Sequence, residues 1–188
     1  MASFQYVDRV LEEMVETNLR EPGDNVISSL MDNDVAEDNG VKRKLTKEEL
    51  FGFCKLVIFA GGGTTWRQLG ITIHALLSHY EFWEACREDR TLIEQAVDES
   101  LRWRATDPVF PRLCVEDTEV AGVFIPANSQ IQLCLGTANH DPEVFDNPTA
   151  YDIFRKKEHH MGFGFGPHRC LGMDVAKQEM VLAISGLM

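Results

Sequence analysis

Between Phe163 and Gly172 the chain reads Phe163-Gly164-Phe165-Gly166-Pro167-His168-Arg169-Cys170-Leu171-Gly172, a cysteine enclosed by glycines. Glycines on both sides let the backbone fold tightly beneath a sulfur and aim N–H groups at it, as an anionic ligand requires. Leu171-Gly172 open into a helical stretch expected over Met173–Met188, so Cys170 stands near a helix N-terminus, where the positive end of the dipole favours the thiolate. This is chemistry suited to an axial thiolate on haem iron, a ligand that pushes electron density onto the metal and favours O–O cleavage. Two other readings use the same residues. One is a Gly-rich turn around a buried free cysteine. The other is a zinc site of His159, His160, His168 and Cys170, although adjacent histidines point apart on most backbones and the chain has no Cys-x-x-Cys partner.

The decapeptide resembles the cysteine-ligand signature of the cytochromes P450, Phe-Gly-x-Gly-x-His-x-Cys-x-Gly, with every fixed position matched. That resemblance implies a haem b (iron protoporphyrin IX) cofactor ligated by Cys170, with Phe163, Gly164 and Gly172 shaping the loop. It also places His168 on one haem propionate, and Arg112, on the first strand after the Glu-x-x-Arg helix, on another. A guanidinium fork suits a carboxylate bidentately. Either residue could instead be an ordinary surface group.

A second constellation is Ala60-Gly61-Gly62-Gly63-Thr64-Thr65. Residues without side chains let a helix backbone lie against a flat macrocycle, and a threonine hydroxyl there can interrupt the ladder and hold water or dioxygen. The run resembles the oxygen groove of the long central P450 helix, Ala/Gly-Gly-x-Asp/Glu-Thr-Thr. By that resemblance Gly61 and Gly62 form the groove and Thr64 relays protons. Gly63 stands where the family has a carboxylate, so water must bring the protons. Glu99 and Arg102, three apart, share a helix face. Alone they read as a solvated pair. In this order they resemble the family's buried Glu-x-x-Arg pair, which locks its helix to the segment before the cysteine loop through a further arginine. Ala150 occupies the expected arginine position, which leaves open whether Arg155 takes its place. Asn139-His140-Asp141-Pro142 resembles the family's Ala-Asn-Arg-Asp-Pro turn and carries no assigned chemistry.

The elements that must position these residues follow from periodicity. Phe4, Val7, Leu11 and Met14 share a helical face, and Pro22-Gly23 end that helix; a short helix is expected over 25–31 and a loop over 32–44. Thr46 with Glu49 three residues on forms a capping box. The apolar pattern then runs from Leu50 to Leu77 as one helix of about 45 Å, with the glycine triplet inside it at a cost of roughly 1 kcal/mol per glycine. Helices are expected near 81–87 and 92–103. Strands are expected at 112–115, 119–125 and 130–135, with a turn at Pro126-Ala127-Asn128-Ser129. The fold class is mainly α with a small β portion, a partial cytochrome P450 fold, and without repeat or linker the chain 1–188 reads as one domain. In the family's terms it is the C-terminal portion, lacking the N-terminal substrate-access region.

Composition bounds the partners. The 188 residues carry a formal charge of -12 and are 44% hydrophobic, which argues against nucleic acid or an anionic membrane as a bulk partner. No run reaches the length of a membrane span, and the N-terminus has no signal pattern. Five cysteines at irregular spacing suit reduced thiols, and together these features point to a soluble cytoplasmic protein. Arg155, Lys156, Lys157, Arg169 and Lys177 against Glu158 and Asp174 make a locally positive stretch around the cysteine loop, suited to docking an acidic donor such as a ferredoxin. The resemblance implies a monooxygenase that hydroxylates an apolar small molecule, with electrons ultimately from NAD(P)H through ferredoxin reductase and ferredoxin. The alternatives are a non-catalytic remnant that binds haem weakly or not at all, and a peroxide-driven haem enzyme, the latter suggested by Gly63.

Overall fold

The computed structural model describes residues 2–37 and 40–188 and divides the chain into two compact units, Met1–Gly62 and Gly63–Met188. In the first unit, α1 (Ala2–Arg20), α2 (Val26–Asp32) and α3 (Lys47–Gly61) bury Leu11, Val15, Ile27 and Leu50. Their ends are set by local chemistry. Asn25 Oδ1 accepts the Ser28 N–H at 3.1 Å to cap α2. At α3 the expected capping box is formed: Thr46 Oγ1 accepts the Glu49 N–H at 3.2 Å and Glu49 Oε2 accepts the Thr46 N–H at 2.8 Å, satisfying two helix-end donors reciprocally. The stretch read as a loop over 32–44 carries a small antiparallel pair, β1 (Val35–Ala36) and β2 (Lys42–Arg43); residues 38 and 39 lie outside the described residues.

The single long helix expected from Leu50 to Leu77 is two helices. α3 ends at Gly61, Gly62 caps it through N–H to Ile58 O at 3.0 Å, and α4 (Thr64–Ser78) starts after Gly63. Three consecutive glycines remove too much helix propensity for the ladder to continue through them. A Cβ on Gly62 would lie 2.8 Å from the Ile58 carbonyl oxygen, so the exit turn itself demands glycine there.

The second unit is built on α4, α5 (Tyr80–Glu88), α6 (Leu92–Trp103) and α8 (Met173–Leu187), with the short α7 (Leu135–Ala138) between the strands and the cysteine loop. Its core joins Ala75 and Leu76 of α4, Ile93, Ala96, Val97 and Leu101 of α6, and Met180 and Ile184 of α8, with Tyr151 and Ile153 inserted from the irregular segment that follows α7. The β portion is two antiparallel pairs: β3 (Phe110–Leu113) with β6 (Gln130–Leu133), and β4 (Thr118–Val120) with β5 (Val123–Ile125). The strand expected over 119–125 is therefore a hairpin. Ala121 and Gly122 both adopt positive φ (50° and 79°), the pairing that a tight two-residue hairpin turn requires.

A buried polar network fixes α4 against α6. Thr72 Oγ1 and Ser100 Oγ lie 2.6 Å apart, and Gln68 Nε2 donates to Ser100 Oγ and Arg104 O, each at 3.2 Å. Gln68 Oε1 accepts from Thr106 N and Oγ1 at 2.9 and 3.0 Å. Because one amide satisfies four groups, Gln68→Leu is expected to destabilise the protein by about 2 kcal/mol, read as a lower urea midpoint at unchanged slope.

Candidate functional site

Glu99 and Arg102 on α6 are buried, 6% and 2% exposed. They are not the solvated pair that the spacing alone suggests. Arg102 Nε and Nη2 donate to Glu99 Oε2 and Oε1, both at 2.8 Å. Its other N–H groups reach the carbonyls of Asn139 (2.9 Å), Pro148 (2.7 Å) and Ala150 (2.8 Å), and the guanidinium lies over the Phe145 ring. Arg155 completes the cluster: its Nε donates to Glu99 Oε1 at 3.1 Å, and its fork also reaches the carbonyls of Asp146, Asn147 and Ala150. The arginine absent at Ala150 is thus supplied five residues on, while Ala150 contributes its carbonyl to both guanidinium groups.

From this cluster the chain is led into the cysteine loop. Asn139 Oδ1 accepts the Met161 N–H at 2.6 Å. Gly162 packs so closely on α6 that a Cβ there would meet Leu101 O and His160 Nδ1, each at 2.9 Å. The loop then closes on itself: the Cys170 N–H donates to Phe163 O at 2.9 Å, with Gly164 and Gly166 at φ 72° and 74°. Positive φ at these two positions is the conformation that glycine adopts without strain. His168 lies exposed in a short 3₁₀ turn, Gly166–His168; Gly172 caps α8, and Cys170 is exposed just before it. Exposure removes the reading of a buried cysteine in a turn. Phe163 packs against the core, whereas Phe165 and Leu171 are 70% and 82% exposed. Arg112 is exposed on β3, Thr64 is the first residue of α4, and Gly61 and Gly62 end α3.

A second charged junction has no signal in the sequence spacing. Asp98 on α6, 15% exposed, is met by Lys177 Nζ of α8 at 2.5 Å, Lys157 Nζ at 3.6 Å and His160 Nε2 at 3.8 Å. These groups line a cleft of about 410 Å³ with Phe163 and Arg169. His160 is engaged here rather than in a zinc site, and no metal-binding cluster of His, Cys, Asp or Glu forms among the described residues. The positive stretch is also smaller than its sequence suggests. Arg155 turns inward to Glu99 and Lys177 to Asp98, leaving Lys156, Lys157 and Arg169 outward.

Burial raises the Asp98 carboxyl, but hydrogen bonding from His160 and Lys177, with the Lys177 charge, more than reverses this and holds it at about 2. A carboxyl depressed on folding stabilises the native state above its unfolded value, about 3.9, and loses that contribution as pH falls through its folded value. Asp98→Asn is expected to cost about 2 kcal/mol at about pH 7. It should also flatten the fall in stability between about pH 4 and 2, measured by denaturant unfolding across that range.

A family model for cytochrome P450 matches residues 1–188. The chain is 36% identical over 177 residues to the biotin biosynthesis cytochrome P450 of Bacillus subtilis, an alignment covering 94% of this chain and 43% of that protein. It is 32% identical over 186 residues to 6-deoxyerythronolide B hydroxylase of Saccharopolyspora erythraea, covering 99% and 45%. The crystal structure of HmtN, a post-tailoring hydroxylase involved in himastatin biosynthesis, superposes with a TM-score of 0.91 at 32% identity and covers 100% of this chain and 49% of that one. The chain spans less than half the length of these relatives. Its mainly helical architecture, its thiol loop and its agreement with them along nearly all of its length make one conclusion: this chain belongs to the cytochrome P450 family.

Proposed function

We propose that the chain supplies the haem-thiolate portion of a bacterial-type monooxygenase, with Cys170 as the iron ligand. The observation that carries this reading is the closed turn from Phe163 to Cys170, which presents an exposed sulfur at the foot of α8. The residues present fit haem: a thiol donor flanked by bare apolar side chains, Phe165 and Leu171, suits the face of a macrocycle with an axial thiolate. Arg112 and His168, both exposed, offer donors for its propionates. Bound haem would activate dioxygen, placing one oxygen atom in an apolar organic substrate and releasing the other as water, with two protons from solvent and two electrons drawn ultimately from NAD(P)H.

The chain's own contributions are local. Cys170 supplies the sulfur, and the glycines around it keep the backbone close beneath. By resemblance Gly61 and Gly62 belong to the oxygen groove, and the Thr64 hydroxyl passes protons from water, since Gly63 offers no carboxylate. Arg155 is satisfied internally, so the docking face for a ferredoxin is narrowed to Lys156, Lys157 and Arg169. Five free cysteines suit a reducing cytoplasm, and among the described residues no helix is long and apolar enough to cross a membrane.

The decisive measurement is the reduced carbon monoxide difference spectrum of haem-reconstituted protein. The parent chain is expected to give a strongly red-shifted Soret band and Cys170→Ala to lose it. No such band in the parent would favour a non-catalytic remnant, and an identical band in the alanine variant would overturn the ligand assignment. For the docking face, Lys156→Glu with Lys157→Glu is expected to slow reduction by a ferredoxin about tenfold at low salt and to weaken its salt dependence. Unchanged stopped-flow rates across the salt series would exclude that face.

A further inference from the structure

His160 performs two tasks that neither the thiol chemistry nor the charged cluster on α6 accounts for. Its Nδ1 accepts the Gly162 N–H at 3.0 Å, which leaves the ring proton of the neutral tautomer on Nε2. The Nε2 edge faces Asp98 Oδ1 at 3.8 Å, in a side chain only 14% exposed. The ring lies 6.3 Å from that of Phe163, over which Lys177 Nζ sits at 5.9 Å. The amide held by His160 belongs to the residue immediately before Phe163, and the Phe163 carbonyl receives the Cys170 N–H. There is no space for an alternative path, because Gly162 is wedged between the Leu101 carbonyl and the imidazole itself.

We propose that His160 is a positioning residue for the thiol loop, its imidazole, set beside Asp98 of α6, accepting the Gly162 amide and thereby fixing the Phe163 carbonyl on which Cys170 hangs. Asp98 faces the ring from α6 and is itself met by Lys177 of α8; Lys157 reaches the other oxygen of Asp98 from the loop side. The hydrogen bond accepted by Nδ1 is the functional contact. A side chain with an acceptor at the Nδ1 position should therefore replace histidine for this contact, and asparagine Oδ1 supplies that acceptor. Alanine has no acceptor. The placement of the Phe163–Cys170 turn stands on this geometry alone, and only the consequence for iron ligation rests on Cys170 being the ligand.

Site-resolved amide hydrogen exchange of the full chain tests the geometry without haem. The Cys170 N–H should exchange about five- to tenfold faster in His160→Ala, the loss of one hydrogen bond's restraint, and within about twofold of the parent in His160→Asn. The core amides of Ile93 and Met180 serve as controls and should remain unchanged in both variants. In haem-reconstituted protein, His160→Ala should move carbon monoxide complexes from the red-shifted form to the unshifted form, with recovery in His160→Asn. Equal behaviour of the alanine and asparagine variants at Cys170, or faster exchange that extends equally to Ile93 and Met180, would overturn the proposal. Restored Cys170 protection in His160→Asn without a red-shifted band in the parent would support the positioning role while favouring the non-catalytic remnant.

Discussion

Two guanidinium groups and one carboxylate sit together in the second unit, and burying such charges costs several kcal/mol per ion unless every donor and acceptor is matched. Arg102 meets that requirement in full: each of its five N–H groups has a partner, two on Glu99 and three on the carbonyls of Asn139, Pro148 and Ala150. These carbonyls are available because the segment after α7 is irregular and has no ladder to occupy them. The fork and the irregular path are therefore mutually necessary. An unfolded or differently routed segment would strand Arg102, and a lysine could not span the same acceptors because it lacks the planar fork. Glu99 gathers the opposite side, taking Arg102, Arg155 and the Asp152 N–H.

What this fixes is the approach to Cys170. Asn139 gives its carbonyl to Arg102 and its side-chain oxygen to the Met161 amide, so the same residue belongs to the charged cluster and to the start of the loop. One residue later Gly162 presses against the α6 backbone, and two later Phe163 enters the core while its carbonyl receives the Cys170 N–H. The loop's position is thus inherited from α6 through backbone groups. Side chains on the loop itself do little of the positioning, and Phe165, Pro167, His168 and Arg169 are all exposed.

The parts of this arrangement that were legible from sequence are those with local signals. The capping box at Thr46 and Glu49 announced α3, the boundaries of α6 followed its apolar spacing, and the glycine-bounded cysteine was placed at the foot of a helix. The parts that were not legible depend on partners far apart in the chain. Arg155 pairs with Glu99 across 56 residues, and nothing in the sequence near Ala150 shows that Arg155 supplies the guanidinium while Ala150 offers only its carbonyl. Asp98, His160 and Lys177 meet from α6, the loop approach and α8, a convergence without periodicity. The helix break at Gly62–Gly63 is different in kind: the apolar pattern runs through the triplet, but the propensity lost at three glycines outweighs hydrophobic spacing in the fold. The hairpin at Ala121–Gly122 was hidden because alanine, unlike asparagine or glycine, does not advertise positive φ.

The two sides of the thiol loop differ in polarity. Behind the loop, charges are buried and matched; in front of it, Phe165 and Leu171 are bare beside an exposed sulfur. Here the backbone is already committed, by Gly162 against α6 and by the Phe163–Cys170 hydrogen bond, to facing them outward. An apolar surface held open by a rigid support is suited to receive a flat apolar partner with little further loss of conformational freedom. That division, rigid behind and bare in front, is set by α6, through Gly162 against its backbone and the Asn139–Met161 hydrogen bond, more than by the loop's own side chains.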